Sequence, residues 1–322
     1  MQVAVVTRFG GPEVLVPSEA PDPAAGPDEV VIDVAAADVL WVETMIRQGG
    51  GEYFDVTPPY VPGGAVAGRV RAVGDGVDPD WLGREVVAHT GQRGGYAEQV
   101  VVPAGGLSTV PDGLGLREAA ALLHDGPTAL ALFEGTQIGR GDAVLVIGAS
   151  GGLGIVSVQL ARARGARVVA VARDERKLAR IRDLGADAVI DSETPDWVEQ
   201  ARAALGGEGA DVILDNVGGR VGEAAFAVIA PGGRFSAHGT PSGQFAVIDP
   251  AEAERRGVTL HGIADVQLSD ADLKRLTEQA LAEAAAGRIK PVIGQTFPLA
   301  KAADAHTAIE RRAVFGKTLL LP

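Results

Sequence analysis

Asp142-Ala143-Val144-Leu145-Val146-Ile147-Gly148-Ala149-Ser150-Gly151-Gly152-Leu153-Gly154 opens a stretch that runs to Asp191 and decides the fold. Its first half is a short apolar run, which predicts a buried strand. The glycine turn follows, then a helical pattern to Arg164, then a second apolar run, Arg167-Val168-Val169-Ala170-Val171-Ala172. A glycine cluster alone is most often a turn. Between a strand and a helix, inside a βαβ unit, it predicts a dinucleotide site. Gly148 lets the chain leave the strand sharply. Gly151 and Gly152 have no Cβ to keep the backbone from a pyrophosphate, and Gly154 lets the helix pack on the strand. Ser150 and Leu153 belong to the same phosphate-binding turn, at a helix N-terminus whose free N–H groups and dipole favour negative charge. Leu153, Val156, Leu160 and Ala163 fall on one helical face, read as core.

The second strand selects between the two nicotinamide dinucleotides. An NAD site usually has an acidic side chain there, about 20 residues past the glycines, to hold the ribose hydroxyls. Here the strand ends in Ala172, followed by Arg173, with Arg176 and Lys177 close behind. Small and then basic residues suit a 2′-phosphate, so NADPH is the expected cofactor. Asp174 and Glu175 fit the cap and first turn of the following helix, and a solvated helix face is the plain alternative for Arg176.

A chain of 322 residues is long enough for two domains with separate cores. The net charge of −13 argues against nucleic acid or an anionic membrane as partner. There is no cysteine, hence no disulfide, thiolate nucleophile or thiolate metal site. The first residues, Met1-Gln2-Val3-Ala4-Val5-Val6, read as a strand and not as a signal peptide. No run of about 18 apolar residues predicts a transmembrane helix, and a cytoplasmic location is expected.

Residues 1 to about 120 read as β-rich and barrel-like. Short Val-rich runs at 3–7, 29–35, 67–73, 85–88 and 96–102 alternate with Gly and Pro turns. One connection is long, the Gly-then-Pro segment 48–60, which is either a functional lid or a plain excursion. Helical pattern covers 116–123 and 126–135. After the βαβ unit, strands are expected at 188–191, 211–215, 234–237 and 258–262, six in all. Helices between them make a doubly wound parallel sheet of order 3-2-1-4-5-6. A helix at 269–287 and strands at 292–299 and 317–321 end the chain. The predicted division is 1–122 with 265–322 as the substrate and catalytic domain, and 123–264 as the Rossmann dinucleotide domain, with a small-molecule cleft expected at the split.

Several stretches resemble one family across both domains. They are Phe9-Gly10-Gly11-Pro12-Glu13-Val14-Leu15, Val61-Pro62-Gly63-Gly64 with Ala67-Gly68, and the glycine turn. Gly185-Ala186-Asp187-Ala188-Val189-Ile190-Asp191, Asp215-Asn216-Val217-Gly218-Gly219 and the end with Gly316-Lys317-Thr318 complete the set. The chain is similar to the zinc-independent, quinone-oxidoreductase-like medium-chain dehydrogenase/reductases. The resemblance implies a GroES-like β-barrel domain, a Rossmann domain, often a homodimer, and hydride transfer from NADPH to a quinone or an activated double bond. Zinc-dependent relatives carry Gly-His-Glu where this chain has Gly63-Gly64-Ala65, and need a cysteine ligand; the five histidines show no paired metal spacing, so no metal is expected. Many quinone-reductase relatives also carry Asn-Phe-x-Asp-x-Tyr, whose Asn and Tyr face the substrate. Here Leu40 and Met45 replace them, only the acid remains as Glu43, and the substrate pocket is expected to be more apolar.

A quinone accepts hydride with little help beyond proximity and stacking. Reduction of an enone also needs a donor to its oxygen and a proton. The candidates are His124 with Asp125 holding its tautomer, and Tyr53 or Tyr60 in place of the missing phenol. Their plain readings are a helix cap and loop packing. By position in the family, Thr128 approaches the nicotinamide, Asn216 and Gly218 line the cofactor cleft, Gly239 and Thr240 end the fifth strand, and Lys317 meets the cofactor unless it is a surface lysine. His238 is expected to be a satisfied interior residue. The run Val258-Thr259-Leu260 reads as an edge strand on which a homodimer would form. The leading reading is an NADPH-dependent quinone or enone reductase. The alternatives are a biosynthetic enoyl or carbonyl reductase with one specialised substrate, and an NADPH-binding protein with a non-redox role.

Overall fold

The computed structural model describes residues 1–50 and 54–322. The chain divides into two compact units, Met1–His124 with Leu273–Ala285 and Pro291–Pro322, and Asp125–Asp272 with Ala286–Lys290.

The first unit is β-rich. Strand β1 (Gln2–Val6) pairs antiparallel with β2 (Leu15–Glu19). The trunk is β3 (Glu29–Val39), flanked antiparallel by β4 (Ala65–Val73) and by β6 (Gln99–Pro103). Strand β5 (Glu85–His89) joins β4 to the short β7 (Ser108–Thr109). Register shifts between Val31 and Ile32 and between Val34 and Ala36 mark β3 opposite β4. Such irregularities bend a strand and raise its twist, as a closing sheet requires. Gly68 belongs to this bend, since a Cβ there would meet the Asp33 carbonyl oxygen at 2.1 Å. Val30, Ile32 and Val34 point into a core with Val6, Val66, Tyr96 and Leu320. Ala36 joins a second cluster under helix α2 (Leu116–Ala120). Between β3 and β4 lies α1 (Trp41–Arg47), where the sequence reading assigns no element.

The second unit opens with α3 (Asp125–Gly135) and carries β8 (Ala143–Ile147), α4 (Gly152–Ala163), β9 (Arg167–Ala172), α5 (Glu175–Asp183) and β10 (Ala188–Asp191). Then come α6 (Trp197–Leu205), β11 (Ala210–Asp215), α7 (Gly219–Ala225), β12 (Ile229–Ala237), α8 (Pro250–Arg255) and β13 (Thr259–Gly262). The sheet order is β10-β9-β8-β11-β12-β13, every pair parallel. Numbered within the unit this is 3-2-1-4-5-6, the predicted doubly wound order. Strand β8 is buried along its whole length, as expected of a parallel strand covered on both faces.

Helix α9 (Asp270–Ala285) starts in the second unit and continues in the first, to which β14 (Ile293–Pro298), α10 (Ala302–Glu310) and β15 (Lys317–Leu321) also belong. Strand β15 pairs with β14 in parallel and with β3 antiparallel, which sets Lys317 at the trunk strand's C-terminal end. Among the described residues no helix is long and apolar enough to cross a membrane.

Candidate functional site

In the second unit the turn after β8 has the geometry a pyrophosphate needs. Gly148 has φ +71°, the left-handed region open to glycine. A Cβ at Gly154 would meet the Gly148 carbonyl oxygen at 2.5 Å and the Ala149 Cα at 2.7 Å, so α4 lies directly on the turn. At Gly151 a Cβ would meet only the Gly148 oxygen, at 3.6 Å. The outer face of the turn is therefore open while its inner face is closed. Gly151 caps α4 without a side-chain hydrogen bond, so the first N–H groups of a twelve-residue helix have no side-chain acceptor at the cap. Ser150, Gly152 and Leu153 are half-buried around them. This is a cradle of the right chemistry for a dinucleotide.

At the end of β9, Arg173, Asp174 and Arg176 are exposed and Lys177 is half-buried. Asp174 is the cap of α5, accepting from the Arg176 backbone N–H at 2.9 Å. That accounts for the acid among the bases. Arg173 faces Glu193 at 3.9 Å, both well exposed, a pairing of little strength in water. Burial lowers the Lys177 ammonium pKa, with Asp174 opposing.

The loops after β11 and β12 meet closely. A Cβ on Gly239 would fall 2.0 Å from the Asn216 carbonyl carbon, and one on Gly218 (φ +77°) 2.1 Å from the Gln244 oxygen. Asn216 donates from Nδ2 to the Ile147 oxygen at 2.7 Å, and its Oδ1 lies 2.9 Å from His238 Nε2. His238 Nδ1 lies 3.0 Å from Ser236 Oγ. Burial pushes the His238 imidazole down to about 4, so it is neutral and holds Asn216 in place. Asp215 accepts from the Val217 and Gly218 N–H groups, both at 2.9 Å. Thr128, on the first turn of α3, and Thr240 are half-buried.

The first unit brings together residues far apart in sequence. Asp38, fully buried near the end of β3, has Lys317 Nζ 2.9 Å from Oδ1 and His124 Nδ1 3.1 Å from Oδ2. Burial alone would push its carboxyl up, but Lys317 and then His124 outweigh this and hold it below the usual carboxylate range. The His89 ring stands edge-on to His124, centroids 5.5 Å apart, with its Nε2 3.2 Å from Thr277 Oγ1. Burial, with the neighbouring His124, takes His89 down to about 4. Gly64 makes room for the imidazole, since a Cβ there would meet His124 Nε2 at 3.2 Å. One expectation is corrected and one plain alternative is set aside. The carboxylate on His124 is Asp38 and not the adjacent Asp125, because the ring's Nδ1 faces the end of β3. Lys317 is no surface lysine. It is 6% exposed and its ammonium lies on Asp38.

Behind this group lies Glu43, on α1 and fully buried. It accepts from the Leu40 N–H at 2.8 Å, the Gly64 N–H at 3.0 Å and the Tyr96 hydroxyl at 2.6 Å. Burial raises its pKa despite these donors. The Tyr96 oxygen also lies 3.1 Å from His306 Nε2. Sequence reasoning saw Glu43 only as the remnant of a substrate motif and missed Asp38, whose signal, an acid ending a buried strand, was present. Leu40 caps α1 and Met45 lies within it, both half-buried. Tyr60 is not an open loop residue, because its backbone bridges to Val6 and its ring joins the barrel core. Burial takes its phenol up to about 12, which makes it a reluctant proton donor. Tyr53 lies outside the described residues. No group of three potential metal ligands occurs among the described residues.

The zinc-binding dehydrogenase domain pattern matches residues 152–281, and the alcohol dehydrogenase GroES-like domain pattern matches residues 26–112. A quinone oxidoreductase of Rattus norvegicus is 32% identical, over 100% of this chain and 98% of its own. A 2-haloacrylate reductase of a Burkholderia species is 31% identical, over 100% of this chain and 99% of its own. The crystal structure of Escherichia coli quinone oxidoreductase complexed with NADPH superposes with a TM-score of 0.91, at 26% identity over 100% of both chains.

Proposed function

The chain belongs to the quinone oxidoreductase family of medium-chain dehydrogenase/reductases and is an oxidoreductase, and from that premise we propose that it reduces a quinone or an α,β-unsaturated carbonyl with NADPH and without a metal. The observation that carries the reading is the open glycine cradle at the N-terminus of α4, with Arg173, Arg176 and Lys177 gathered at the end of β9. When bound, the dinucleotide supplies the hydride. The chain's own residues do the rest. The α4 N-terminus holds phosphate, the bases at β9 favour a 2′-phosphate over a ribose hydroxyl, and Asn216, fixed by His238 and Ile147, lines the cofactor site with Thr128, Gly218, Gly239 and Thr240. Lys317, a cofactor residue by its position in the family, lies in the first unit on Asp38.

For a quinone these parts suffice. For an enone, His124 is the proton donor, being partly exposed and paired with the buried Asp38. Leu40 and Met45 give the pocket an apolar wall. Metal independence rests on the missing cysteine and on Gly63-Gly64-Ala65, where a zinc site needs a ligand. The protein is proposed to act as a cytoplasmic homodimer through the β13 edge, where Leu260 and Ile263 are exposed.

The test is NADPH consumption on a panel of quinones and simple enones, with NADH in parallel and after dialysis against a chelator. Turnover that survives chelation and prefers NADPH is expected. Arg176→Ala should raise KM for NADPH about tenfold, the loss of one charge-assisted phosphate contact, and leave KM for NADH within twofold. Tight NADPH binding with no turnover on any acceptor would sink the redox reading.

A further inference from the structure

The proposed proton donor does not stand alone. His124 holds Asp38 through Nδ1, and no residue bonds its Nε2 among the described ones. Asp38 is fully buried, contributed by the trunk strand of the barrel and not by the segment that carries the histidine. Lys317 comes from the last strand, 2.9 Å from the other carboxylate oxygen. A buried carboxylate is costly unless paired, and here two cationic or donor groups sit on its two oxygens. His89, neutral and edge-on, fills one side of the ring. Gly64, itself fixed by Glu43, leaves space on another. The imidazole is thus held at Nδ1 and walled on one side, with Gly64 leaving room beside the one nitrogen left to act, Nε2.

We propose that Asp38 and Lys317 are positioning residues that make Nε2 of His124 the proton-donating atom in enone reduction, a reading that rests on the proposed function above. Asp38 retains the Nδ1 hydrogen in both protonation states of the ring, so the proton that leaves is the one on Nε2. Lys317 keeps Asp38 ionised and therefore an acceptor. The step balances. The bound dinucleotide would supply the hydride that forms a C–H bond at the enone β-carbon, and the C=C π pair would move toward the carbonyl as an enolate. The enolate takes the Nε2 proton, and solvent returns a proton to the ring. A quinone needs less of this, because its reduced oxygens accept protons from water.

Two measurements test the assignment. The first uses the unliganded protein with ¹⁵N-labelled histidine, reading the ring tautomer by NMR above the histidine titration range. Wild-type His124 should be the Nδ1–H tautomer, and Asp38→Asn should abolish that preference. The second is kinetic. Asp38→Asn and Lys317→Met should each lower kcat on an enone about 10²-fold more than kcat on a quinone, the size of a lost general acid, with KM for the enone moving less than threefold. Should Asp38→Asn fail to fold, Lys317→Met carries both readouts. An Nε2–H tautomer in the wild type, or equal losses on both acceptors, overturns the positioning role while the reductase reading stands. If instead the wild type reduces no acceptor, the reductase reading fails, and the tautomer measurement still decides whether Asp38 fixes the ring.

Discussion

Glu43 shows how much one side chain can organise when water is excluded. Its two oxygens take the N–H of Leu40 at the start of α1, the N–H of Gly64 behind His124, and the hydroxyl of Tyr96 across the barrel core. Glu43→Ala would leave the Leu40 and Gly64 N–H groups with nothing to bond and Tyr96 with only His306, and each orphaned buried group costs about 1–3 kcal/mol. The variant is expected to lose about 3 kcal/mol or more, seen as a clear fall in thermal midpoint, whereas Tyr96→Phe, which removes one of the three donors, should lose about 1 kcal/mol. A midpoint within a degree of wild type in Glu43→Ala would show that the network is not holding the loop. Two of the three partners are 21 and 53 positions from Glu43, and nothing in the local pattern connects them to it. Sequence reading could keep the acid as a motif remnant but had no means to find these two partners. The same holds for Asp38, 86 positions from His124, which is why the adjacent Asp125 was the expected partner.

Among the elements, the inner strands of the dinucleotide unit were the most legible, because they are short apolar runs bounded by glycine or charged residues. Helix α1 was not. It has seven residues and buries Glu43, Thr44, Ile46 and Arg47, so polar residues occupy its inner face and no apolar stripe appears. Helix α10, where the sequence reading also assigns no element, buries Ala302, Ala305 and His306, small and polar residues that form no strong apolar stripe. Strand β13 is an edge of the six-stranded sheet. Its outer N–H and C=O groups and the exposed Leu260 offer a template for a second copy. Light scattering should give the mass of two chains, and Leu260→Asp, which sets a charge on the edge, should shift the protein toward one. A wild-type mass of one chain at micromolar concentration rules out the proposed dimer.

For the whole molecule, acid stability follows from histidines kept neutral by burial. His89 and His238 lie at about 4 and His306 at about 3, each below the ordinary 6.5. The unfolded chain binds protons at these sites between pH 6.5 and those lower values, and the folded chain does not. Stability therefore falls as pH drops through that window. Asp38, held low, adds stability that is present above the ordinary carboxylate pKa and is lost at still lower pH. Glu43, raised by burial, works in the opposite sense and weakens the fold as pH rises toward its folded value. The thermal midpoint should fall steadily from pH 6.5 to pH 4. His306→Leu should flatten that slope, whatever it does to the midpoint at pH 7. An unchanged slope in the variant would remove His306 from the account.

Sequence alone determined the doubly wound sheet, its strand order, the glycine cradle, the bases after β9 and the family. These are local properties, written in runs of apolar residues, turn chemistry and spacing along one stretch of chain. Tertiary structure alone decided which carboxylate holds His124, that Lys317 is buried on Asp38, that Tyr60 lies in the barrel core, and that Glu43 ties α1 to the Gly64 loop. Those facts depend on β3, β15 and the segment ending at His124 meeting in one place. A pairing between strands from opposite ends of the chain follows from the packing of the barrel and not from any pattern a single segment carries.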